Sequence, residues 1–287
     1  MKVKNRIALF IAALVLTATV ALSAFAFTGC GNASGSISLV GSTSMEEVMG
    51  VINDAFMKAN PGIDVSMTCN GSGEGIKAAQ DGSCTFGMAS RDLKDSETGV
   101  VQATIAIDGI AVVTQTTTGA QDVTFDELYN LYASGTSFTD NNVTVTAAVG
   151  RETGSGTRSA FDELVVNSAG VALEKANAGN GYNANVAQPT TTGAVINAVK
   201  SATTPTVGYI SLGSVTSEVK KLKVEGVEAT NENMINGTYK LMRNFNLILP
   251  EGGYDKLDEA GKLFYDFVMG DEGQKILEDE GYLPVAE

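Results

Sequence analysis

The sequence predicts an α/β fold of two lobes, with the second lobe inserted into the first. Between residues 37 and 90, strands and amphipathic helices alternate as strand, helix, strand, helix, strand, which is typical of a parallel sheet with right-handed crossovers. A second alternating series follows an apolar stretch. We therefore expect lobe 1 at residues 37–113 and 207–287 and lobe 2 at residues 114–206. Each lobe is expected to contain a mostly parallel sheet flanked by helices.

The predicted elements of lobe 1 follow from apolar spacing and turn residues. Val48, Ile52 and Phe56 recur at helical spacing. Residues 44–47 form a capping-box pattern that would start this helix, and residues 60–62 (Asn-Pro-Gly) would end it. Strands are expected at residues 37–40, 64–69, 85–90 and 207–212, an apolar stretch at residues 100–113, and two final helices at residues 255–269 and 271–280.

The predicted elements of lobe 2 are bounded in the same way. Residues 124–127 (Thr-Phe-Asp-Glu) form a second capping-box pattern. We expect a helix at residues 124–133, a strand at 143–149, a helix at 155–167, a loop at 177–192 and a helix at 193–201.

The composition indicates a folded protein and excludes several chemistries. The 287 residues are 44% hydrophobic and 18% charged with 5 prolines, which excludes a disordered or collagen-like chain. The chain has no histidine, so Ser-His-Asp and Cys-His nucleophiles, histidine-containing zinc sites and imidazole bases are all excluded. We expect neither a metal nor a cofactor.

Residues 1–29 are predicted to be a lipoprotein signal peptide. A basic start precedes an uncharged run at residues 7–27, and small residues stand before Cys30. This pattern resembles a bacterial lipobox, in which the chain is cut before the cysteine and its thiol takes a diacylglycerol. Residues 30–36 would then be a flexible linker that holds the protein outside the cell membrane. An uncleaved signal anchor is the alternative, since about 20 apolar residues can span a bilayer.

The net charge argues against a nucleic-acid partner. Removal of residues 1–29 takes away three basic residues and no acidic ones, leaving 16 lysines and arginines against 33 acidic residues, a net charge of −17. Binding to a phosphate backbone needs a basic stripe. A small anion can still bind, because local backbone amides govern a buried site more than net charge does.

Cys69 and Cys84 are expected to stay unpaired, although export permits a disulfide. Cys69 would end one strand and Cys84 would precede the next parallel strand. The two positions would lie about five residues, or ~16 Å, apart along the strands. A disulfide spans Cα separations of only about 4.4 to 6.8 Å.

Three turns share one pattern, in which a strand leads into glycine and hydroxyl residues and then into a helix. They are residues 41–44 (Gly-Ser-Thr-Ser), 70–73 (Asn-Gly-Ser-Gly) and 154–157 (Gly-Ser-Gly-Thr). Each would present free N–H groups and a hydroxyl at the positive end of a helix dipole, which suits an anion. Any one of these hydroxyls could instead only cap its helix.

Three of the four arginines after residue 29 adjoin these turns. Arg91 follows a predicted strand, and Arg151 and Arg158 flank the last turn. A guanidinium offers paired donors that match an oxyanion, so Arg151 is expected in the site. Arg158 is instead expected on a solvated helix face or paired with Asp162, four residues further on.

Six motifs occur in the order found in one protein family. They are GSTS (41–44), GSGEGIKAA (71–79), ASRD (89–92), IAIDGIAVV (105–113), RETGSGTR (151–158) and VGYISL (207–212). In these motifs the chain resembles the PstS family, the phosphate-binding proteins of bacterial ABC-type phosphate importers. The resemblance covers nearly all of residues 36–287, and RETGSGTR is its most specific part.

The resemblance implies a type II periplasmic-binding-protein fold that closes on inorganic phosphate and delivers it to the permease subunits. The hinge would lie at two crossovers near Val112 and Val207. Matched motif by motif, the resemblance implies phosphate donors at Thr43, Ser44, Ser72, Ser90, Arg91, Arg151, Ser155, Gly156 and Thr157.

The resemblance also raises the question of an acceptor for the phosphate proton. Some members have an acid after the serine of the third strand, where this sequence has Arg91, so Asp108 is expected to supply this acceptor. A carboxylate in the site would favour phosphate over sulfate, because sulfate has no proton to donate and would leave the buried acceptor unpaired. Asp108 could also pair with Arg91 or Arg151.

Two functions of other classes remain open. A phosphate-ester hydrolase could use Ser44 or Ser155 as nucleophile, although the sequence offers no histidine and no evident metal cluster to activate a hydroxyl. A sensor or adhesin on the same fold would bind no small anion tightly.

Overall fold

One long strand organises the fold of residues 34–285, the part of the chain that the computed structural model describes. This strand, β4 (Val100–Gln115), has 16 residues and is shared by two sheets. The other strands are β1 (Gly35–Gly41), β2 (Ile63–Cys69), β3 (Phe86–Ala89), β5 (Asp122–Val123), β6 (Phe138–Asp140), β7 (Val143–Val145), β8 (Ala147–Ala148), β9 (Thr206–Ser211), β10 (Val219–Lys221), β11 (Lys223–Val224), β12 (Met242–Pro250) and β13 (Leu283–Pro284).

Helices cover the sheets and connect the strands. They are α1 (Glu46–Ala59), α2 (Ser72–Gln80), α3 (Phe125–Ser134), α4 (Gly156–Leu164), α5 (Thr192–Ser201), α6 (Asn231–Ile235), α7 (Glu259–Met269) and α8 (Asp271–Asp279), with short 3-10 helices at Leu173–Lys175, Asn177–Gly179 and Gly253–Lys256. Within residues 34–285, none of these helices has the length and apolar character needed to cross a bilayer.

The first sheet has the order β2-β1-β3-β12-β4. β1 pairs in parallel with β2 and β3, as the alternation of strands and helices predicts. The apolar and turn patterns do not predict β12, which lies between β3 and β4 and is antiparallel to both. The predicted α/β class is confirmed, and β12 makes this sheet mixed.

The second sheet is built on the other half of β4. Residues 110–114 pair antiparallel with β9, and β9 pairs in parallel with β8. The core on this sheet includes Ile110 and Leu241, and the Ile110 N–H donates to the Leu241 carbonyl at 2.7 Å. The chain therefore crosses between the sheets at residues 109–110 and again at residues 241–242.

These crossovers differ from the predicted ones near Val112 and Val207. The predicted inserted lobe, residues 114–206, ends before β9, whereas β9 pairs and packs within the second sheet. The chain makes a further excursion through β10, β11 and α6 before it returns as β12. Below, lobe 1 denotes residues 34–109 and 242–285, and lobe 2 denotes residues 110–241.

The two predicted capping boxes have different outcomes. Thr124 caps α3 as expected: its hydroxyl accepts from the Glu127 N–H, and the Glu127 carboxylate accepts from the Thr124 N–H. The box predicted at Ser44 is wrong, because Met45 is the N-cap of α1 and provides no side-chain bond. The Ser44 hydroxyl instead contacts lobe 2, as described below.

Several element boundaries also differ from those predicted. The strand expected at residues 143–149 is interrupted at Thr146, whose N–H donates to the Pro205 carbonyl. The helix expected at residues 155–167 ends at Leu164. The helix expected from residue 255 begins after Asp258, whose carboxylate accepts from the Gly261 N–H as N-cap.

Some predictions fall partly or wholly outside the described residues. The signal peptide and the lipidated Cys30 lie outside them. The predicted linker overlaps them, and it is wrong at Gly35 and Ser36, which already pair with Ile63 and Asp64 of β2.

Cys69 and Cys84 are free thiols in the structure. Cys69 ends β2, and Cys84 lies just before β3. Because β1 lies between β2 and β3, two strand spacings of about 4.8 Å also separate the two strands.

Candidate functional site

The first turn of the site follows β1. Gly41 has a φ of +147°, and a Cβ there would lie 2.1 Å from the Met88 carbonyl oxygen. Only glycine allows β1 and β3 to approach this closely. Ser42 follows, and its N–H donates to the same carbonyl at 3.0 Å. Thr43 and Ser44 are thereby placed at the carboxyl edge of the parallel strands, where both are buried.

Three serine hydroxyls form a chain at this edge of the sheet. Ser42 Oγ donates to Ser90 Oγ at 2.9 Å, and Ser90 Oγ lies 3.3 Å from Ser72 Oγ. The Ser90 N–H also donates to Ser72 Oγ at 3.1 Å. Since a hydroxyl both donates and accepts, this row of three hydroxyls can direct a proton toward a bound anion.

Lobe 2 contributes the loop that leads into α4. Gly154 has a φ of +99°, which allows the turn. Ser155 is the N-cap, and its hydroxyl accepts from the Arg158 N–H at 3.3 Å, so its own proton stays free to donate. Gly156 and Thr157 begin the helix, where unpaired N–H groups and the positive end of the dipole favour an anion.

The two lobes meet in one buried group of donors. Ser44 Oγ lies 2.6 Å from Thr157 Oγ1, and Arg151 Nη2 donates to Thr43 Oγ1 at 3.0 Å. We call this group the hydroxyl cluster; it comprises Ser42, Thr43, Ser44, Ser72, Ser90, Ser155 and Thr157, together with Arg151 and Gly156.

Gly156 is the point of closest approach between the lobes. A Cβ at Gly156 would lie 2.3 Å from Ser72 Oγ and 2.5 Å from Ser90 Oγ. Nearby, the Gly73 N–H donates to the Gly154 carbonyl at 3.1 Å. The structure therefore brings together all the predicted site residues except the side chains of Arg91 and Asp108.

Arg151 is held in place by its neighbours. Its Nε and Nη2 donate to the two carboxylate oxygens of Glu152 at 2.8 and 2.9 Å. Nη2 also reaches Thr43, as noted above. The Nη1 atom makes no hydrogen bond to any residue in the described part of the chain, so it remains available to a ligand.

Arg158 pairs with Asp162 as predicted, and it does more than that. Nε donates to Asp162 Oδ2 at 3.2 Å, and the residue is buried rather than solvated. Nη1 donates to the Arg151 carbonyl at 3.1 Å and to Gln188 at 2.8 Å, while Nη2 donates to the Asn180 carbonyl at 2.6 Å. Arg158 therefore fixes the backbone of the loop that carries Arg151.

The Arg91 side chain turns to its own lobe. Nη1 and Nη2 donate to the Glu97 carboxylate at 2.7 and 2.6 Å, and Nη1 also donates to the Asp92 carbonyl at 2.8 Å. None of these bonds joins Arg91 to the hydroxyl cluster. Its role as a phosphate donor therefore stays a prediction that its contacts do not support.

Asp108 pairs with Arg243, which corrects the predicted pairing with Arg91 or Arg151. Its Oδ2 accepts from Nε and Nη2 of Arg243 at 2.9 and 2.8 Å, and its Oδ1 accepts from Ser211 Oγ at 2.8 Å. Burial raises the pKa of Asp108, and the Arg243 guanidinium opposes this rise.

Three residues of the site or its surroundings were not among the predicted site residues. Ser42 and Glu152 lie inside the GSTS and RETGSGTR motifs, so their position in the sequence could have identified them as candidate site residues. Arg243 lies in β12, which was not predicted, and no local motif marks it.

A cavity of about 1040 Å³ opens beside the hydroxyl cluster. We call it the cleft cavity; its walls include residues 91–95 and 242–244 of lobe 1 and Thr153, Gly154 and Arg158 of lobe 2. Its lining mixes acidic and basic side chains, whereas the hydroxyl cluster combines hydroxyls with the Arg151 guanidinium and includes no carboxylate. The hydroxyl cluster therefore suits an anion better than the cleft cavity does.

The site offers binding groups but no activated nucleophile. The Ser44 hydroxyl contacts the Thr157 hydroxyl, and the Ser155 hydroxyl accepts from a backbone N–H. Neither has a carboxylate or imidazole partner that could remove its proton. Among the described residues, no group of three or more acidic, cysteine or histidine side chains could hold a metal ion.

Sequence comparisons identify relatives over most of the chain. The family model of the PBP superfamily domain matches residues 28–272. The phosphate-binding protein PstS 2 of Streptococcus agalactiae is 38% identical over 138 residues, which cover 48% of this chain and 45% of that protein. The match thus spans about half the length of that relative. PstS of Bacillus subtilis is 24% identical over 269 residues, covering 89% of this chain and 82% of that protein.

Structural comparisons point in the same direction. A crystal structure from Clostridium perfringens, described as a phosphate ABC transporter substrate-binding protein with bound phosphate, has a TM-score of 0.78 and 35% identity. The alignment covers 88% of this chain and all of that one. An ABC-type phosphate transport receptor from Vibrio cholerae has a TM-score of 0.67 and 27% identity, covering 87% of this chain and all of that one.

Proposed function

Because this chain belongs to the PBP superfamily and, within it, to the PstS-type phosphate-binding proteins, we propose that it captures inorganic phosphate between its lobes. It serves as the solute-binding component of a bacterial ABC phosphate importer. The ligand is bound and released without chemical change, in line with a site that activates no nucleophile.

The convergence of donors from both lobes carries this proposal. Thr43 and Ser44 of lobe 1 lie against Arg151 and Thr157 of lobe 2, and all four are at most 5% exposed. A tetrahedral oxyanion can accept from such a set on several sides at once, and charge-assisted bonds from a guanidinium are among the strongest. Neither lobe alone offers the whole set.

The lobes move about the two crossovers. They lie side by side, at residues 109–110 and 241–242, and the Ile110 N–H links them through the Leu241 carbonyl. Two adjacent extended segments can absorb the backbone rotation of a hinge while each sheet stays intact. Closure brings Gly156 onto Ser72 and Ser90.

The receptor works on the outer face of the cell membrane. The basic start, the apolar run and Cys30 support export followed by lipid attachment, and a permease needs its receptor on that face. Labelling of cells with a radioactive fatty acid tests the anchor: we expect label on the wild type and none on Cys30→Ser. Equal labelling of both proteins contradicts attachment at Cys30.

Calorimetry with phosphate and with sulfate tests the function. We expect one phosphate per chain. No binding of either anion contradicts the proposal and favours a sensor or adhesin. Turnover of a chromogenic phosphate ester that Ser155→Ala abolishes favours a hydrolase instead.

A further inference from the structure

Arg243 is a guanidinium near the site to which the proposed function gives no role. It lies at the start of β12, and Asp108 lies opposite it in β4. β12 runs antiparallel to β3, so the start of β12 lies at the edge where β3 leads into Ser90. The Arg243 and Asp108 side chains are only 2% and 1% exposed.

The hydrogen bonds of Arg243 leave one nitrogen without a partner. Nε and Nη2 both donate to Asp108, whereas Nη1 is buried with no hydrogen-bond partner among the described residues. Arginine keeps its charge in proteins, and a buried N–H without an acceptor is destabilising. Nη1 therefore requires an acceptor that another molecule can supply.

Arg243 lies at the same edge of the sheet as Ser90 of the hydroxyl cluster. It lines the cleft cavity together with Gly154, which belongs to the loop that carries Arg151. Burial is the main cause that lowers the pKa of Arg243, and the positive charge of Arg151 lowers it further. The two guanidiniums are thus within electrostatic reach, and an anion bound beside both relieves their repulsion.

Asp108 is arranged to hold Arg243 rather than to meet a ligand. One carboxylate oxygen accepts two bonds from Arg243, and the other accepts from Ser211 of lobe 2. The pair also adjoins both crossovers, since Gly109 and Met242 are the next residues toward lobe 2. Asp108 therefore connects Arg243 to the segment that moves with lobe 2.

We propose that Arg243 is a second oxyanion-binding guanidinium of this site, which donates from Nη1 to the bound phosphate, and that Asp108 is the positioning residue that orients it. This inference rests on the proposed function. It replaces the direct acceptor role expected of Asp108, whose two oxygens are already bound.

Calorimetry with inorganic phosphate on the full chain tests the inference. We expect Arg243→Gln to weaken phosphate binding about 10- to 100-fold, because one charged hydrogen bond and one positive charge are lost. Arg243→Lys keeps the charge without the planar fork, and its affinity is expected to fall in between. Lys275→Gln removes one exposed positive charge from α8 and is expected to bind like the wild type.

Two further measurements separate a binding role from a structural one. As the pH rises through the second ionisation of phosphate, the affinity of Arg243→Gln is expected to rise less than that of the wild type, because a lost cation weakens dianion binding most. Asp108→Asn is expected to weaken phosphate and sulfate binding alike. Circular dichroism without ligand shows whether each variant folds. If Arg243→Gln does not fold, Arg243→Lys provides the test.

Unchanged phosphate affinity in a folded Arg243→Gln overturns the inference. So does an Asp108→Asn variant that gains sulfate affinity and keeps its phosphate affinity, since that result identifies a direct acceptor. If the wild type binds no phosphate, the proposed function fails and this inference fails with it. If the wild type binds phosphate and Arg243→Gln binds it equally tightly, this inference is rejected while the proposed function stands.

Discussion

Gly156 makes room for the site because it has no side chain. It lies at the start of α4, where the helix of one lobe meets the serine hydroxyls of the other. Any Cβ there would enter the space of Ser72 and Ser90. Its importance is therefore steric, in addition to the backbone N–H that it offers to an anion.

Gly156→Ala is expected to weaken phosphate binding about 5- to 150-fold, because overpacking of this kind costs about 1–3 kcal/mol. Calorimetry measures the effect. Gly193→Ala is a matched control, since Gly193 lies in α5 and a Cβ there has nothing within 4 Å. Equal affinities for the two variants contradict this account of the lobe contact.

Asp162 is expected to stabilise the fold at low pH, which is the reverse of the usual effect of a carboxylate in an ion pair. Burial raises the pKa of Asp162 to about 6, and the Arg158 charge opposes this rise. The folded protein thus holds this proton more tightly than the unfolded chain. The stabilisation is complete below the ordinary pKa of 3.8 and is lost as the pH rises through about 6.

Asp162→Asn is expected to remove this dependence. The wild type is expected to lose stability relative to the variant as the pH rises from below 3.8 to above about 6. Because the pKa shift is about two units, the difference between their free energies of unfolding is expected to fall by up to about 3 kcal/mol. Urea unfolding of both proteins at a series of pH values measures this difference. The other titrating groups are the same in both proteins, so their contributions cancel. A difference that rises with pH contradicts the assignment.

At the scale of elements, helix starts do two separate jobs in this molecule. α3 begins with a full capping box and has no part in the hydroxyl cluster. α1 begins without a side-chain cap, and the hydroxyl of the preceding Ser44 faces Thr157 instead. A hydroxyl before a helix can serve the helix or another lobe, and its surroundings decide which.

Thr124→Ala is expected to lower the free energy of unfolding by about 1 kcal/mol, the usual loss for an N-cap, and to leave phosphate affinity unchanged. Thr117→Ala is the control, because Thr117 is exposed in a turn and makes no side-chain hydrogen bond within residues 34–285. Equal stability of the two variants shows that the box adds nothing to α3.

At the scale of the whole molecule, the ligand is expected to stabilise the fold because it joins both lobes. At a phosphate concentration 100-fold above the Kd, mass action predicts a rise of about 2.7 kcal/mol in the free energy of unfolding. Thermal unfolding with and without phosphate measures this rise. The Arg151→Ala variant is expected to lose most of this phosphate-dependent stabilisation, and the Lys275→Gln variant is expected to keep it. A full rise in Arg151→Ala contradicts the role of Arg151.

The local features of this protein can be predicted from neighbouring residues alone. The alternation of strands and helices and the three turns of glycine and hydroxyl residues depend on neighbouring residues, and most of them lie in the structure where they were expected. Apolar spacing and turn chemistry act over a few positions, so they can be recognised without knowing the fold. The family motifs extended this reading to most of the site.

Which distant groups meet depends on how the whole chain folds. Asp108 and Arg243 are 135 residues apart and become partners because β12 inserts between β3 and β4. β9 pairs with residues 110–114 of β4 and so belongs to lobe 2, and the second crossover lies at residues 241–242. Strand order depends on how the whole chain buries its apolar surface, and no local pattern encodes it.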